Sequence, residues 1–148
     1  MYDLYFQEDM KAPLDEKEIR ARLDSFLSEL GVTSDFSISF VSDDEIRNLN
    51  REYRAKDEPT DVLTFRLKDD DTFPDVGEVD EMGDIFISLD AVSRNASEFS
   101  VPFSEELTRV MLHGLLHLLG YDHESNDFKS EVMLQKQEDI MLRLGYRS

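Results

Sequence analysis

Met111-Leu112-His113-Gly114-Leu115-Leu116-His117-Leu118-Leu119-Gly120-Tyr121-Asp122-His123 contains all three histidines of the 148-residue chain. His113 and His117 stand at i and i+4, so on a helix their rings project from one face. The residues before them support that helix. Ser104 suits an N-cap, Glu105 and Glu106 suit the positive end of the helix dipole, and Leu107, Val110, Met111 and Leu118 keep helical spacing. Gly120 can take a positive φ and end the helix, which turns the chain and brings His123 back toward the first two rings. Three neutral imidazoles converging in this way make a site with one open position, the ligand pattern of a catalytic zinc. The site is therefore expected at the end of a helix buried against the others.

Other readings of these histidines are weaker. Polar residues on a surface helix explain one i,i+4 pair, but not three histidines with a glycine between the second and third. A closed structural zinc site would need a carboxylate as fourth ligand, because the chain has no Cys; Asp122, Glu124 and Asp127 are the nearest. The spacing is similar to that of metzincin peptidases, where a glutamate after the first histidine is the general base. Here that position is Gly114, so the metal chemistry survives the comparison and peptide hydrolysis does not.

Outward from this segment the chain alternates strands and helices. Tyr2 to Gln7 is β-prone. Asp15 and Glu18 form a capping box before Ile19, Leu23, Phe26, Leu27 and Leu30, and Gly31 ends that helix. Phe36, Ile38 and Phe40 alternate with serines as a half-buried strand. Ser42 and Glu45 cap a helix whose apolar stripe is Ile46, Leu49 and Tyr53, with Arg47 and Arg51 off it. Pro59 disfavours helix at Glu58, and Thr60 to Arg66 reads as a strand. Lys68 to Gly83 is a loop crowded with acids that lacks the periodicity and central glycine of a calcium loop, so a solvated loop is expected. Asp84 to Ser88 is the last strand. Ser88 or Asp90 caps a helix to about Phe99, and a final helix starts near Ser125, with Met133, Ile140, Met141 and Leu144 inward and Gly145 past its end.

The order is β-α-β-α-β-β-α-α-α in one domain, residues 1–148. The expected fold is α+β: a mixed four-stranded sheet packed with helices, its first two strands parallel and its last two antiparallel or bridged by a loop. No apolar run is long enough to span a membrane. Met1-Tyr2-Asp3-Leu4 does not resemble a secretory signal, and the absence of Cys fits a cytoplasmic location. The formal net charge of −18 predicts a soluble monomer that repels polyanions. Any RNA role must then rest on a local positive site.

Three separated segments carry a family resemblance. They are Asn50-Arg51-Glu52-Tyr53-Arg54-Ala55-Lys56-Asp57-Glu58-Pro59-Thr60-Asp61-Val62-Leu63-Thr64-Phe65, Gly83-Asp84-Ile85-Phe86-Ile87-Ser88, and His113 through His123. Together they resemble the YbeY family of bacterial metal-dependent endoribonucleases. The resemblance implies a hydrolase specific for single-stranded RNA, dependent on one Zn²⁺, acting in 16S rRNA 3′-end maturation and ribosome quality control. It implies His113, His117 and His123 as metal ligands, with His113 and Arg54 in the reaction. RNA and small ribosomal subunit proteins are the implied partners; no DNA or membrane partner is expected. The chain departs from the family at Arg66, where Pro is usual, which puts a further cation at the exit of the third strand.

The chemistry agrees. Phosphodiester cleavage needs a Lewis acid, an activated nucleophile and a cation for developing charge. The planar donor fork of Arg54 suits the last role, the competing reading being a surface salt bridge with Asp57 or Glu58. Lys56 and Arg66 are weaker candidates, and Met133 is expected as core filler. A different class of function is an assembly factor that docks on basic ribosomal proteins, with only minor hydrolysis.

Overall fold

The computed structural model describes residues 2–7, 14–67, 81–121 and 127–147, with backbone only for 127–130. His123, Asp122, Glu124 and the Lys68–Asp80 part of the acidic loop lie outside the described residues, as does the expected start of the last helix near Ser125.

The elements are β1 (Tyr2–Phe6), α1 (Glu16–Leu30), β2 (Asp35–Val41), α2 (Asp43–Arg54), β3 (Val62–Arg66), β4 (Glu81–Ser88), α3 (Leu89–Phe99), α4 (Phe103–Leu118) and α5 (Asp127–Arg143). The expected order and the mixed four-stranded sheet are present. The strands lie side by side as β1-β2-β4-β3. β1 and β2 are parallel, β2 and β4 are parallel, and β3 runs antiparallel to β4 at the edge.

Local signals explain most boundaries. Asp15 accepts from Lys17 N, Ser42 from Glu45 N and Ser88 from Ala91 N, so each caps its helix as a short polar side chain should. Three expectations are corrected. Ser104 is not the cap of α4: that helix begins two residues earlier than a Ser104 cap would set it, at Phe103 behind Pro102, which has no side-chain hydrogen bond to give. β4 begins at Glu81 rather than Asp84, because Gly83, at φ 143°, lets the strand pass under Phe65 O, 2.0 Å from where a Cβ would stand. Tyr53, expected on the apolar stripe of α2, is left 65% exposed, with its ring edge-on to Phe65.

Strand alternation sends Leu4, Phe36, Ile38, Phe40, Ile85 and Ile87 to one face, where they join Ile19, Leu23 and Phe26 of α1 and the apolar side chains of α4 and α5 in the main core. α2 covers the other face at its β3–β4 end through Ile46, Leu63, Phe65 and Phe86. The rest of that face is polar, and a groove of about 310 Å³ there is lined by four carboxylates, Asp3, Asp35, Glu81 and Asp84.

α4 is buried almost all round, as suits a central helix. Between Glu105 and Leu118 only Arg109, His113 and His117 are not buried. Gly114 has a packing reason: a Cβ there would lie 2.9 Å from Ile85 Cγ2, so glycine lets α4 settle on β4.

Candidate metal centre

Arg109, His113 and His117 repeat every four residues and form one stripe along α4, and α5 lies against it. The two rings meet at 78°, with centroids 4.7 Å apart. Their Nε2 atoms are 3.1 Å apart. Two nitrogens at tetrahedral zinc distance are separated by about 3.3 Å, from Zn–N bonds of roughly 2.0–2.1 Å. The described pair therefore fits a tetrahedral ion, and neutral imidazoles are the donors such an ion takes. Among the described residues no group of three His, Asp or Glu side chains forms a ligand set.

His113 is held from behind. Its Nδ1 lies 2.8 Å from Gln137 Oε1, and Gln137 Nε2 donates to Glu138 Oε2 at 3.1 Å. Arg109 binds Glu138 through Nε at 3.0 Å and also reaches Glu105 at 3.1 Å and Glu106 at 3.0 Å. Glu105 and Glu106 stand in the first turn of α4, as expected of dipole partners, and are also buried at 6% and 4% exposure and paired to this guanidinium. Burial pushes the Glu106 carboxyl above its ordinary range, Arg109 only partly offsetting it. For Glu138 burial acts in the same direction, but the hydrogen bonds from Arg109 and Gln137 outweigh it and its carboxyl falls below the usual range. The four-residue stripe and the Glu105–Arg109 spacing were visible in the sequence. Nothing in the sequence pointed to Gln137.

Arg54 is the last residue of α2. It makes neither salt bridge of the competing reading: Asp57 is taken by Arg47 at 2.8 Å and Arg51 at 3.8 Å. Arg54 instead donates from Nη2 to Thr64 O at 2.5 Å and lies over the Phe65 ring, 5.2 Å from its centroid. Thr64 pairs with Ile85, the residue beneath Gly114. Arg54 is thus fixed, on the α2 side of the sheet, to the edge-strand residue whose partner lies beneath Gly114.

Arg66 ends β3, paired with Gly83, so the strand extends as far as the position where the resemblance implied Pro. A Cβ built on Gly120 would lie 3.4 Å from an Arg66 guanidinium nitrogen, and Gly120 has φ 103°. Arg66 therefore stands at the C-terminal end of α4. Met133 is fully buried core, as expected.

The first signature segment also builds the scaffold. Asn50, 4% exposed, donates from Nδ2 to Glu58 O at 2.9 Å, and Asp61 O accepts from Ser88 N at 2.9 Å. These bonds fasten the α2–β3 connection to β4.

A mixed four-stranded sheet carrying a central helix with two paired, partly exposed imidazoles on one stripe defines a small α/β class with a candidate metal site. The Endoribonuclease YbeY family model matches residues 5–145, and the chain belongs to that family. It is 41% identical over 140 residues to the endoribonuclease YbeY of Treponema denticola, covering 93% of this chain and 89% of that one. With the protein of that name from Halalkalibacterium halodurans it shares 42% identity over 118 residues, 76% of this chain and 74% of the relative. The solution structure of TM1509 from Thermotoga maritima superimposes with a TM-score of 0.63 at 34% identity, covering 95% of this chain and 86% of that one.

Proposed function

We propose that residues 1–148 form a single zinc-dependent endoribonuclease domain that cleaves single-stranded RNA, with 16S rRNA 3′-end maturation and ribosome quality control as its setting. Family membership supports RNA hydrolysis. The observation that carries the metal reading is the approach of His113 Nε2 and His117 Nε2 to 3.1 Å, with His113 Nδ1 engaged from behind.

His113 and His117 would hold the ion together with His123. A zinc ion bound there would supply Lewis acidity and make water a competent nucleophile near neutral pH. Arg54 presents a rigid five-donor fork and spends one donor on Thr64 O, which leaves N–H groups for the charge that builds on phosphate oxygens during attack. Arg66, at the end of α4, adds a second cation for the strand. With the ion, the two arginines would make a small positive island on a strongly acidic chain.

No described helix is long and apolar enough to cross a membrane, and we assign the protein to the cytoplasm as a monomer. Its targeting is assigned to small ribosomal subunit proteins. The net charge of −18 and the four-carboxylate groove support a basic protein partner. They also favour a second reading, an assembly factor with minor hydrolysis. The deciding assay compares metal-stripped and zinc-reloaded protein on a short single-stranded RNA, a duplex of the same sequence and whole small subunits. Zinc-dependent cleavage of the single strand supports the enzyme. Binding to subunits with no zinc-dependent cleavage of any substrate supports the assembly factor.

A further inference from the structure

A neutral imidazole offers a lone pair on one nitrogen only, and the partner of the other nitrogen decides which one. His113 has such a partner. Gln137 is 4% exposed, and its amide has two distinguishable ends. Glu138 settles their orientation. An ionised carboxylate only accepts hydrogen bonds, so the Gln137 NH₂ end must face Glu138 Oε2, where Gln137 Nε2 stands at 3.1 Å. Glu138 is itself held by Arg109, with Nε 3.0 Å from Oε2 and 3.3 Å from Oε1. The carbonyl end of Gln137 is then committed to His113 Nδ1 at 2.8 Å, and Nδ1 must carry the proton. The Nε2 lone pair is left pointing toward His117 Nε2.

We propose that Gln137 is a positioning residue whose amide, locked by the Arg109–Glu138 ion pair, holds His113 as the Nδ1–H tautomer and so aims its Nε2 lone pair at a divalent metal ion. This rests on the metal reading of His113 and His117. The alternative is that Gln137 only satisfies a buried polar group, with no effect on metal binding.

Three forms of the full chain distinguish the two: wild type, Gln137→Leu, which keeps the volume but removes the acceptor, and Gln137→Glu, which keeps an acceptor for His113 but sets a carboxylate against Glu138. Each is stripped of metal and titrated with zinc ion alone in competition with a chromophoric chelator, and the melting temperature of each metal-free form is recorded. Gln137→Leu should bind zinc about 10–100-fold more weakly than wild type, the usual effect of losing a group that orients a ligand. Gln137→Glu should bind zinc within about threefold of wild type while its metal-free form melts lower. A role confined to structure would not separate affinity from stability in this way. Nitrogen-15 NMR of the metal-free wild type should show His113 protonated at Nδ1. Wild-type affinity in Gln137→Leu, or His113 protonated at Nε2 in the wild type, would overturn the proposal and leave the metal site standing. If the wild type takes up no zinc, the metal reading itself falls and the proposal with it. Should Gln137→Leu fail to fold, a tenfold loss of affinity in folded Gln137→Glu would overturn the proposal by itself.

Discussion

Arg54 shows how far a single side chain could be read. Its residue type and its place in the first signature made it a candidate cation, but an isolated arginine beside Asp57 and Glu58 reads equally well as a surface ion pair. The decisive fact is three-dimensional: β3 returns beside the end of α2, so the nearest acceptor is Thr64 O. Arg54→Ala removes one exposed hydrogen bond, worth about 0.5–1.5 kcal/mol, and should leave the fold and zinc content unchanged. Cleavage of single-stranded RNA should fall by about 10²–10³ in kcat, the scale for losing a donor to transition-state charge. Arg54→Lys should recover only part of this, because a point charge does not replace the fork. Full activity in Arg54→Ala would remove Arg54 from the mechanism.

At the scale of elements, caps and periodicity located the helices well because those signals are local. What the sequence did not disclose depends on neighbours. Gly114 read only as an absent general base, yet it is the contact point of α4 on β4. Gly114→Ala gains about 0.8–1.0 kcal/mol of helix propensity but meets Ile85 at an overpacking cost of roughly 1–3 kcal/mol. The expected net loss is about 1 kcal/mol, or roughly 3 °C in thermal melting, and a higher melting temperature would contradict this packing. The junction of α2 and α3 gives a pH prediction. Hydrogen bonds from Arg94, and then from Ser88, hold the Asp43 carboxyl below its ordinary range against the opposing effect of burial. A carboxyl with a folded pKa below its unfolded value stabilises the fold above the unfolded pKa, about 3.9 for Asp. That contribution is lost as pH falls from there through the folded value. In Arg94→Ala the wild type's advantage in urea unfolding should therefore be present at pH 6 and shrink on acidification below about pH 4. An advantage independent of pH would show that the ion pair is not its source.

For the whole molecule, the class and the strand directions were legible because a βαβ opening and a short final connection leave few topologies open. The insertion of β4 between β2 and β3 was not, since sheet order depends on side-chain packing across many residues. Net charge was legible outright and gives a global prediction. With only the proposed site, Arg54, Arg66 and a bound metal, to offer positive charge, affinity for short single-stranded RNA should be weak. Its salt dependence should be shallow, equivalent to about one to three phosphates. A steep slope in a binding titration would reveal a basic track elsewhere on the surface. The central claim is that the histidines of α4 hold the ion on which the chemistry depends, and because metal binding is coupled to folding it can be read from the intact protein. The measurement is the metal content of purified wild type and His117→Ala by plasma emission, with a melting curve for each. The account predicts about one zinc per wild-type chain, a metal-free variant and a lower melting temperature for that variant. Equal metal content and identical melting in the two proteins would contradict it.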